Sequence, residues 1–528
     1  MTGMLHAGAL DAPPTLSQLS EVARYERFDL LQERMPEVWS AMRLNHADES
    51  VVVIPSISLD RAVRRSGTME QALEERYLFL LLLLRQPRLR MIYVTSMPIA
   101  PEIVEYYLAL LPGVIPSHAR SRLSLISVGD SSSASLSEKL LARPRLLQRI
   151  AAQIPNPRRS HLIPYNTTEL ERDVAISLGI PMYGADPRLA ELGTKSGCRR
   201  LFADVGIPHP LGAENLHSVE DVSDAIVHMR QQRPAMREVI VKLDEGVSGA
   251  GNALVDLRGL PQPGASGERA AVTERVGALE LESPDVPRDV YLAKLSEGGI
   301  VEERIVGQEL RSPSVQLRIT PDGKVELLST HDQLLGGPSG QKYLGCMFPA
   351  DPAYARTISR YAAAAAERLV SLKVTGRFAF DFVVVREAGG TWEAYAIELN
   401  LRKGGTTHPF LTLQFLTDGR YDSATALFMT STGTEKHLVA TDHLESERLR
   451  ALSISDLFDI VARHGLHFHQ ARQTGIVFHM ISCLTEHGRV GLTGVGNTRA
   501  EAQALYERAQ RVLLDESGAA LVESPMQV

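Results

Sequence analysis

Residues 378–409 read FAFDFVVVREAGGTWEAYAIELNLRKGGTTHP. Two strand-like apolar runs flank a polar turn at Glu387 to Gly390, which is the pattern of a β-hairpin. Asp381 sits inside the first run and Glu398 inside the second. An ionised carboxylate is costly to bury without a cation or donor beside it, so each acid needs a partner. Asn400 follows Glu398 by two residues, which puts both side chains on one face of the strand. Asp381, Glu398 and Asn400 can therefore converge on one site. Hard oxygen ligands of this kind suit Mg²⁺, which keeps waters and is completed by substrate phosphates. The alternative is a structural Asp and Glu bonded to neighbouring loops, and the pattern alone leaves both open.

Working outward, the chain of 528 residues is too long for one core and divides into about three domains. Its composition, 44% hydrophobic and 23% charged, is that of a globular protein, and a net charge of −7 without a basic stripe argues against nucleic-acid binding. Cys198, Cys346 and Cys483 lack paired spacing, so free thiols in a reducing cytoplasm are expected rather than disulfides or a zinc framework. The most apolar run, YLFLLLLL from Tyr77 to Leu84, is too short to span a bilayer and reads as part of a buried helix from about Met69.

Before the hairpin, VVVIPS at Val51 opens an alternation of strands and helices. It continues through MIYVTS (Met91 to Ser96), a helix from Pro101, RLSLISVGD, HLIPYN and a helix from Thr168 to Leu178. Such alternation predicts a parallel sheet covered on both faces. No G-x-G-x-x-G follows the first strand, so a dinucleotide site is not expected. From Gly184 the text changes. A helix opening at Lys195 stops at Gly206 with Pro208 beyond. Further on, EVIVKLDEGVSGAGNALVDL carries Lys242 on a strand and Gly246, Gly249 and Gly251 in the loop after it. Glycines let backbone N–H groups approach an anion, and a lysine on the adjoining strand neutralises it. A plain hairpin turn is the competing account.

GGIVEERIVGQELRSPSVQLRI then brings Glu302, Glu303 and Glu309, and a second glycine-rich loop spans Gly336 to Gly340. Loops of this composition can close over ligands. After an Ala-rich helix and the hairpin, residues from Lys436 read as helix, strand, strand, helix. There His464, His467 and His469 lie close in sequence; a zinc site is the minor reading against ordinary solvated histidines.

In this order the pieces resemble the ATP-grasp superfamily of carboxylate–amine ligases, over about Gly184 to Tyr421. Four segments carry the resemblance: Lys195 before GIPHP, Lys242 with EGVSGAGN, EERIVGQE, and Asp381 followed by ELNLR. LLGGPSGQKYLGC, IELNLRKGGTTHP and the C-terminal region further resemble the subgroup named for the peptide ligase of pheganomycin biosynthesis. The resemblance implies a mixed α/β and α+β fold: a pre-ATP-grasp parallel-sheet domain over 1–185, an ATP-grasp domain over 186–430, and a small α+β C-terminal domain over 431–528.

It also implies the cofactors ATP and Mg²⁺. Lys195 and Lys242 would contact phosphates, with the loop at Ser248, Gly249 and Gly251 closing over them. Glu302, or Glu303 if the register slips by one, would take the adenine amino group, the backbone at Ile305 the ring edge, and Glu309 the ribose. Asp381, Glu398 and Asn400 would hold Mg²⁺, and Arg402 would face the reacting carboxyl and, with Lys242, act in catalysis. The expected partners are an amino-acid or small carboxylate donor and an amine acceptor belonging to a peptide, with neither nucleic acid nor membrane involved. The sequence is compatible with a homo-oligomer without specifying one. Other ATP-grasp activities, carboxylase-like or kinase-like, or non-catalytic ATP binding, are the alternatives; the last predicts loss of the metal ligands, which are present.

Overall fold

The computed structural model describes residues 16–44, 48–58, 68–245, 251–282, 286–336, 342–386 and 389–523. In the N-terminal part, strands Leu123–Ser127, Leu89–Thr95, Glu49–Ile54 and Ser160–Pro164 lie side by side in that order, all parallel. Val51 and Val53 pack into one core with Tyr77 to Leu84, whereas Val52 and Ile54 pack into another with Phe28, Leu136 and Val174. Both faces are thus covered, which is why the strand reads as an unbroken apolar run instead of an alternation. The expected helix from Met69 to Leu84 is α-helical over Thr68–Glu75 and winds as a 3₁₀ helix over Arg76–Arg85. That second half is buried on nearly every side, so no division into apolar and polar faces holds it to a 3.6-residue repeat.

A smaller antiparallel sheet follows, in the order Gly212–Leu216, Gly299–Glu303, Glu238–Leu243, Asn252–Asp256 and Glu280–Leu281. Helices Val219–Gln232 and Glu268–Gly277 bury Val222, Ile226, Val272 and Val276 against its valines.

The third sheet has nine strands among the described residues, and the hairpin Gly376–Arg386 and Trp392–Asn400 lies towards one edge. Helix Pro352–Ser371 covers it. Ile358, Ala362, Ala365, Ala366 and Leu369 form one buried stripe, packed with Val315, Phe378, Phe380 and Ala396. The Asp351 side chain caps this helix by accepting from the Ala353 N–H at 3.0 Å, with Pro352 in the first turn.

Strands of the C-terminal region continue the same sheet: His437–Glu445 pairs with Lys342–Phe348 on one side and Arg489–Gly496 on the other. Leu438, Ile476 and Leu492 share a core with Tyr77 to Leu84 and with Phe410 and Leu413 of helix Thr407–Thr417. The first and last regions of the chain are therefore packed together over the helix that follows the hairpin. No helix among the described residues is long and apolar enough to cross a membrane. The three cysteines are free and buried.

Candidate active site

Strand pairing brings the hairpin acids together. Asp381 and Glu398 are register partners across the two strands, and Asn400 pairs two residues further along with Ala379. The Asn400 amide donates to Asp381 Oδ2 at 2.9 Å, and Gln333, on strand Val325–Gly336, donates to Asp381 Oδ1 at 2.9 Å. Burial and the neighbouring Glu398 charge together push the Asp381 carboxyl up to about 6, against the pull of Ser314, Arg402 and Lys195. Burial works in the same sense on Glu398, but Lys195, then Arg402 and Lys242, outweigh it and hold that carboxyl below its usual value.

Lys195 reaches Glu398 from the N-terminus of helix Lys195–Val205, with Nζ 2.5 Å from Oε1. The helix starts there because Thr194 accepts from the Gly197 N–H at 2.9 Å, and it ends on Gly206 in the left-handed region, with φ of 71°. A Cβ at Gly197 would fall 1.9 Å from the Glu191 carbonyl oxygen, so the turn into the helix requires glycine. The Leu399 N–H donates to Cys198 Sγ at 3.1 Å, which ties this helix to the strand carrying Glu398.

Lys242 lies at the end of strand Glu238–Leu243, and its ammonium donates to Glu302 Oε1 on the neighbouring strand. Arg199 stands 3.7 Å from the other Glu302 oxygen. Asp244, just past the strand, accepts from the Ser196 N–H at 2.7 Å and so draws the loop after Lys242 against the start of the Lys195 helix. The two lysines therefore bear on the same acid, Glu398, Lys195 by contact and Lys242 through its charge.

Glu302 and Glu303 turn to opposite faces of strand Gly299–Glu303, as consecutive strand residues must. Glu303 accepts from the Leu211 N–H at 3.0 Å and pairs with Arg233, on the side away from Lys242. Of the two acids, Glu302 is the one that shares a face with Lys242. Ile305 falls in the connection between Gly299–Glu303 and Glu309–Arg311, which joins the small sheet to the large one. Glu309 is engaged by Arg311 Nη2 at 2.6 Å and Arg386 Nη2 at 2.5 Å. Arg402 donates to the Lys403 carbonyl at 3.2 Å, and its charge bears on both Asp381 and Glu398. Gly251 is buried, and its carbonyl accepts from the Leu243 N–H and the Tyr291 hydroxyl at 3.0 Å each. Ser248 and Gly249, with 337–341 of the second glycine-rich loop, lie outside the described residues.

The structure adds residues that sequence patterns did not single out. Gln333 ends the polar run Ser329 to Gln333 within strand Val325–Gly336, and so lacks the isolated-acid signal that marks Asp381. Lys403 carries no such signal. It is buried, its Nζ donates to the Pro164 carbonyl, and burial followed by the Arg377 charge lowers its pKa to about 7. The histidines of HGLHFHQAR do not converge on an ion. His464 pairs with Glu516 at 2.6 Å, and the rings of His467 and His469 stack at 6.4 Å. Among the described residues, the group of this kind with converging ligand atoms is His408, Asp442 and His479.

Residues 187–274 and 289–424 match the family described as IQCH-like, ATP-grasp, and residues 456–509 match the PGM1 C-terminal domain family. An L-propargylglycine–L-glutamate ligase of Streptantibioticus cattleyicolor is 27% identical over 440 residues, covering 82% of this chain and 87% of that protein. A biotin carboxylase of Campylobacter jejuni, solved as a β,γ-ATP complex, is similar in structure with a TM-score of 0.52 at 13% identity, over 90% of this chain and 96% of its own. The ADP complex of the N5-carboxyaminoimidazole ribonucleotide synthetase PurK gives 0.50 at 11% identity, over 89% and 98%. At these identities the structural likeness concerns the fold.

Proposed function

We propose that this ATP-grasp chain is an ATP-dependent carboxylate–amine ligase that works through an acyl phosphate and releases ADP and phosphate. The observation that carries the reading is the meeting of Lys195, Glu398, Asp381 and Asn400 in one cluster, with Lys242 and Glu302 on the facing sheet. It is supported by the matched family and by the ligase relative, whose name describes the joining of two amino acids.

The acids fit a divalent cation. Two carboxyls and an amide converge, and Asp381 resists ionising beside Glu398, a conflict that a hard cation relieves. Asp381, Glu398 and Asn400 would hold Mg²⁺, which supplies charge neutralisation at a transferring phosphoryl group.

The remaining roles belong to the chain's own side chains. Lys195 and Lys242 neutralise phosphate oxygens, and Glu302 accepts from the adenine amino group beside Lys242. The backbone at Ile305 meets the ring edge, and Glu309 accepts from the ribose hydroxyls. A donor carboxylate attacks the γ-phosphorus, the bond to the β-phosphate oxygen breaks, and ADP leaves. The amine then attacks the acyl carbon, loses a proton, and expels inorganic phosphate. Arg402 stabilises the oxyanion formed in that step. The donor is an amino acid or other small carboxylate, and the acceptor is the free amine of a peptide. A phosphate-release screen over amino acids and short peptides, with the product's mass measured, tests the reading. Release that depends on both substrates together is expected; its absence across the panel would remove the ligase assignment.

A further inference from the structure

His408 lies in helix Thr407–Thr417, Asp442 in strand His437–Glu445 and His479 at the end of strand Gly475–His479. Their side chains are each 4% exposed and converge on one point. His479 Nε2 is 2.7 Å and His408 Nε2 is 3.2 Å from the same oxygen, Asp442 Oδ1, and the two ring nitrogens are 3.0 Å from each other.

No placement of protons satisfies these three contacts. With one proton on His479 Nε2 donated to Asp442, the His408 nitrogen presents a lone pair to the carboxylate. With a proton on each nitrogen, two N–H groups crowd together over one oxygen. With the proton shared between the rings, the His479 lone pair faces the carboxylate. A cation at the centre satisfies all three donors at once. Tetrahedral zinc holds imidazole nitrogen and carboxylate oxygen at about 2.0–2.2 Å, which separates adjacent donors by about 3.3 Å. The three atoms need to part by only a few tenths of an ångström.

The surroundings of Asp442 and His479 agree. Arg76 donates to Asp442 Oδ2 at 2.6 Å and so orients the carboxylate from outside, as the hydrogen-bonded partner of a ligating carboxylate does. Glu75 accepts from the N–H groups of Ile481 and Ser482 at 2.6 and 3.1 Å, bringing a second carboxyl to the turn after His479. A Cβ at Gly491 would fall 2.1 Å from His479 Nε2, so glycine there makes room for the ring.

We propose that His408, His479 and Asp442 form a second metal site, for a divalent transition metal of the zinc class, with a fourth position left for water. Two imidazoles and one carboxylate suit zinc and do not suit Mg²⁺, which takes oxygen ligands. The site pins the helix that begins five residues after Arg402 to the C-terminal strands and, through Arg76, to the N-terminal region. It stands independently of the ligase reading.

The test is metal content of the full chain by elemental mass spectrometry, after Zn²⁺ loading and removal of unbound ion. Wild type and Asp381→Asn should each hold about one zinc per chain, and His408→Gln and His479→Gln should lose affinity by about tenfold or more. Loading with Co²⁺ should give the intense visible bands of a tetrahedral centre in wild type and not in the histidine variants. Circular dichroism checks that each variant is folded; should one fail, the wild-type cobalt spectrum and the other variant still decide. Wild type holding no tight zinc, or either folded histidine variant keeping both stoichiometry and affinity, would overturn the proposal.

Discussion

Asp381 and Glu398 face each other as register partners, yet their surroundings shift the two carboxyls in opposite directions. Lys195, 2.5 Å from Glu398, helps hold that acid ionised, while Asp381, hydrogen-bonded to Asn400 and Gln333, is pushed up to about 6.

The first prediction follows from that asymmetry. Because the folded-state value of Asp381 is raised from 3.8 to about 6, the folded chain binds more protons than the unfolded one across that window, and stability from this group falls as pH rises through it. A cation at the site removes the cost. Mg²⁺ should therefore raise the unfolding temperature more at about pH 7.5 than at about pH 5. Asp381→Asn should lose both the pH dependence and the Mg²⁺ response, with ATP turnover falling roughly a hundredfold or more. An equal Mg²⁺ shift at both pH values, or one that survives in the variant, would refute the assignment.

The hinge gives the second. Adenine presents an amino donor where guanine presents a carbonyl, so a carboxylate acceptor selects ATP. Wild type should prefer ATP to GTP in kcat/KM by about tenfold or more, equivalent to about 1.4 kcal/mol. Glu302→Gln should narrow that ratio. Glu303→Gln should leave it unchanged and lower stability instead, because Glu303 serves Leu211 and Arg233. Kinetics with both nucleotides for the three proteins decide; selectivity that tracks Glu303 would contradict the hinge geometry.

Lys403 supplies the third. Its folded pKa, lowered to about 7, lies below the unfolded value, so the unfolded chain binds more protons between about pH 7 and about pH 10. Stability from this group therefore rises with pH across that window and is at its lowest below it. Lys403→Met should flatten that part of the pH profile, although the Pro164 carbonyl loses its partner at a cost of about 1–3 kcal/mol. Chemical unfolding of both proteins across the window is the measurement; parallel profiles would show that Lys403 is not neutral when folded.

The parallel sheet and the hairpin are legible in the sequence because their signals are local. Val51 to Ile54 is an apolar run between helical segments, and Asp381 and Glu398 interrupt strands where an acid is costly. The partners that make the site work come from distant segments. Gln333 reaches Asp381 only because strand Val325–Gly336 takes its place in the large sheet, and Lys403 meets Pro164 only once the first and second regions pack. Glu302 and Glu303 are indistinguishable by spacing and are separated by which face of the strand Lys242 occupies. The His408, Asp442 and His479 cluster draws on three segments whose histidines and acid carry no shared motif. The histidines that do lie close in sequence, His467 and His469, stack on each other and are not part of that cluster.

The last prediction concerns which phosphorus is attacked. If, as proposed, Lys195, Lys242 and the Asp381, Glu398 and Asn400 cluster neutralise charge where a γ-phosphoryl transfers, attack there leaves ADP and inorganic phosphate. An adenylating ligase would instead release AMP and pyrophosphate. Analysis of the nucleotide after turnover should find ADP alone, formed one for one with amide. With the amine left out and hydroxylamine supplied, the acyl phosphate should be trapped as a hydroxamate, since hydroxylamine attacks the same carbon. Arg402→Lys keeps a positive charge but loses the planar fork that spans an oxyanion. It should slow amide formation by about a hundredfold, with a smaller effect on ATP affinity. An N-acetylated peptide should not react. Amide and ADP formed with that blocked acceptor would keep the mechanism and discard the free-amine acceptor, whereas AMP among the products would reject the acyl-phosphate route itself.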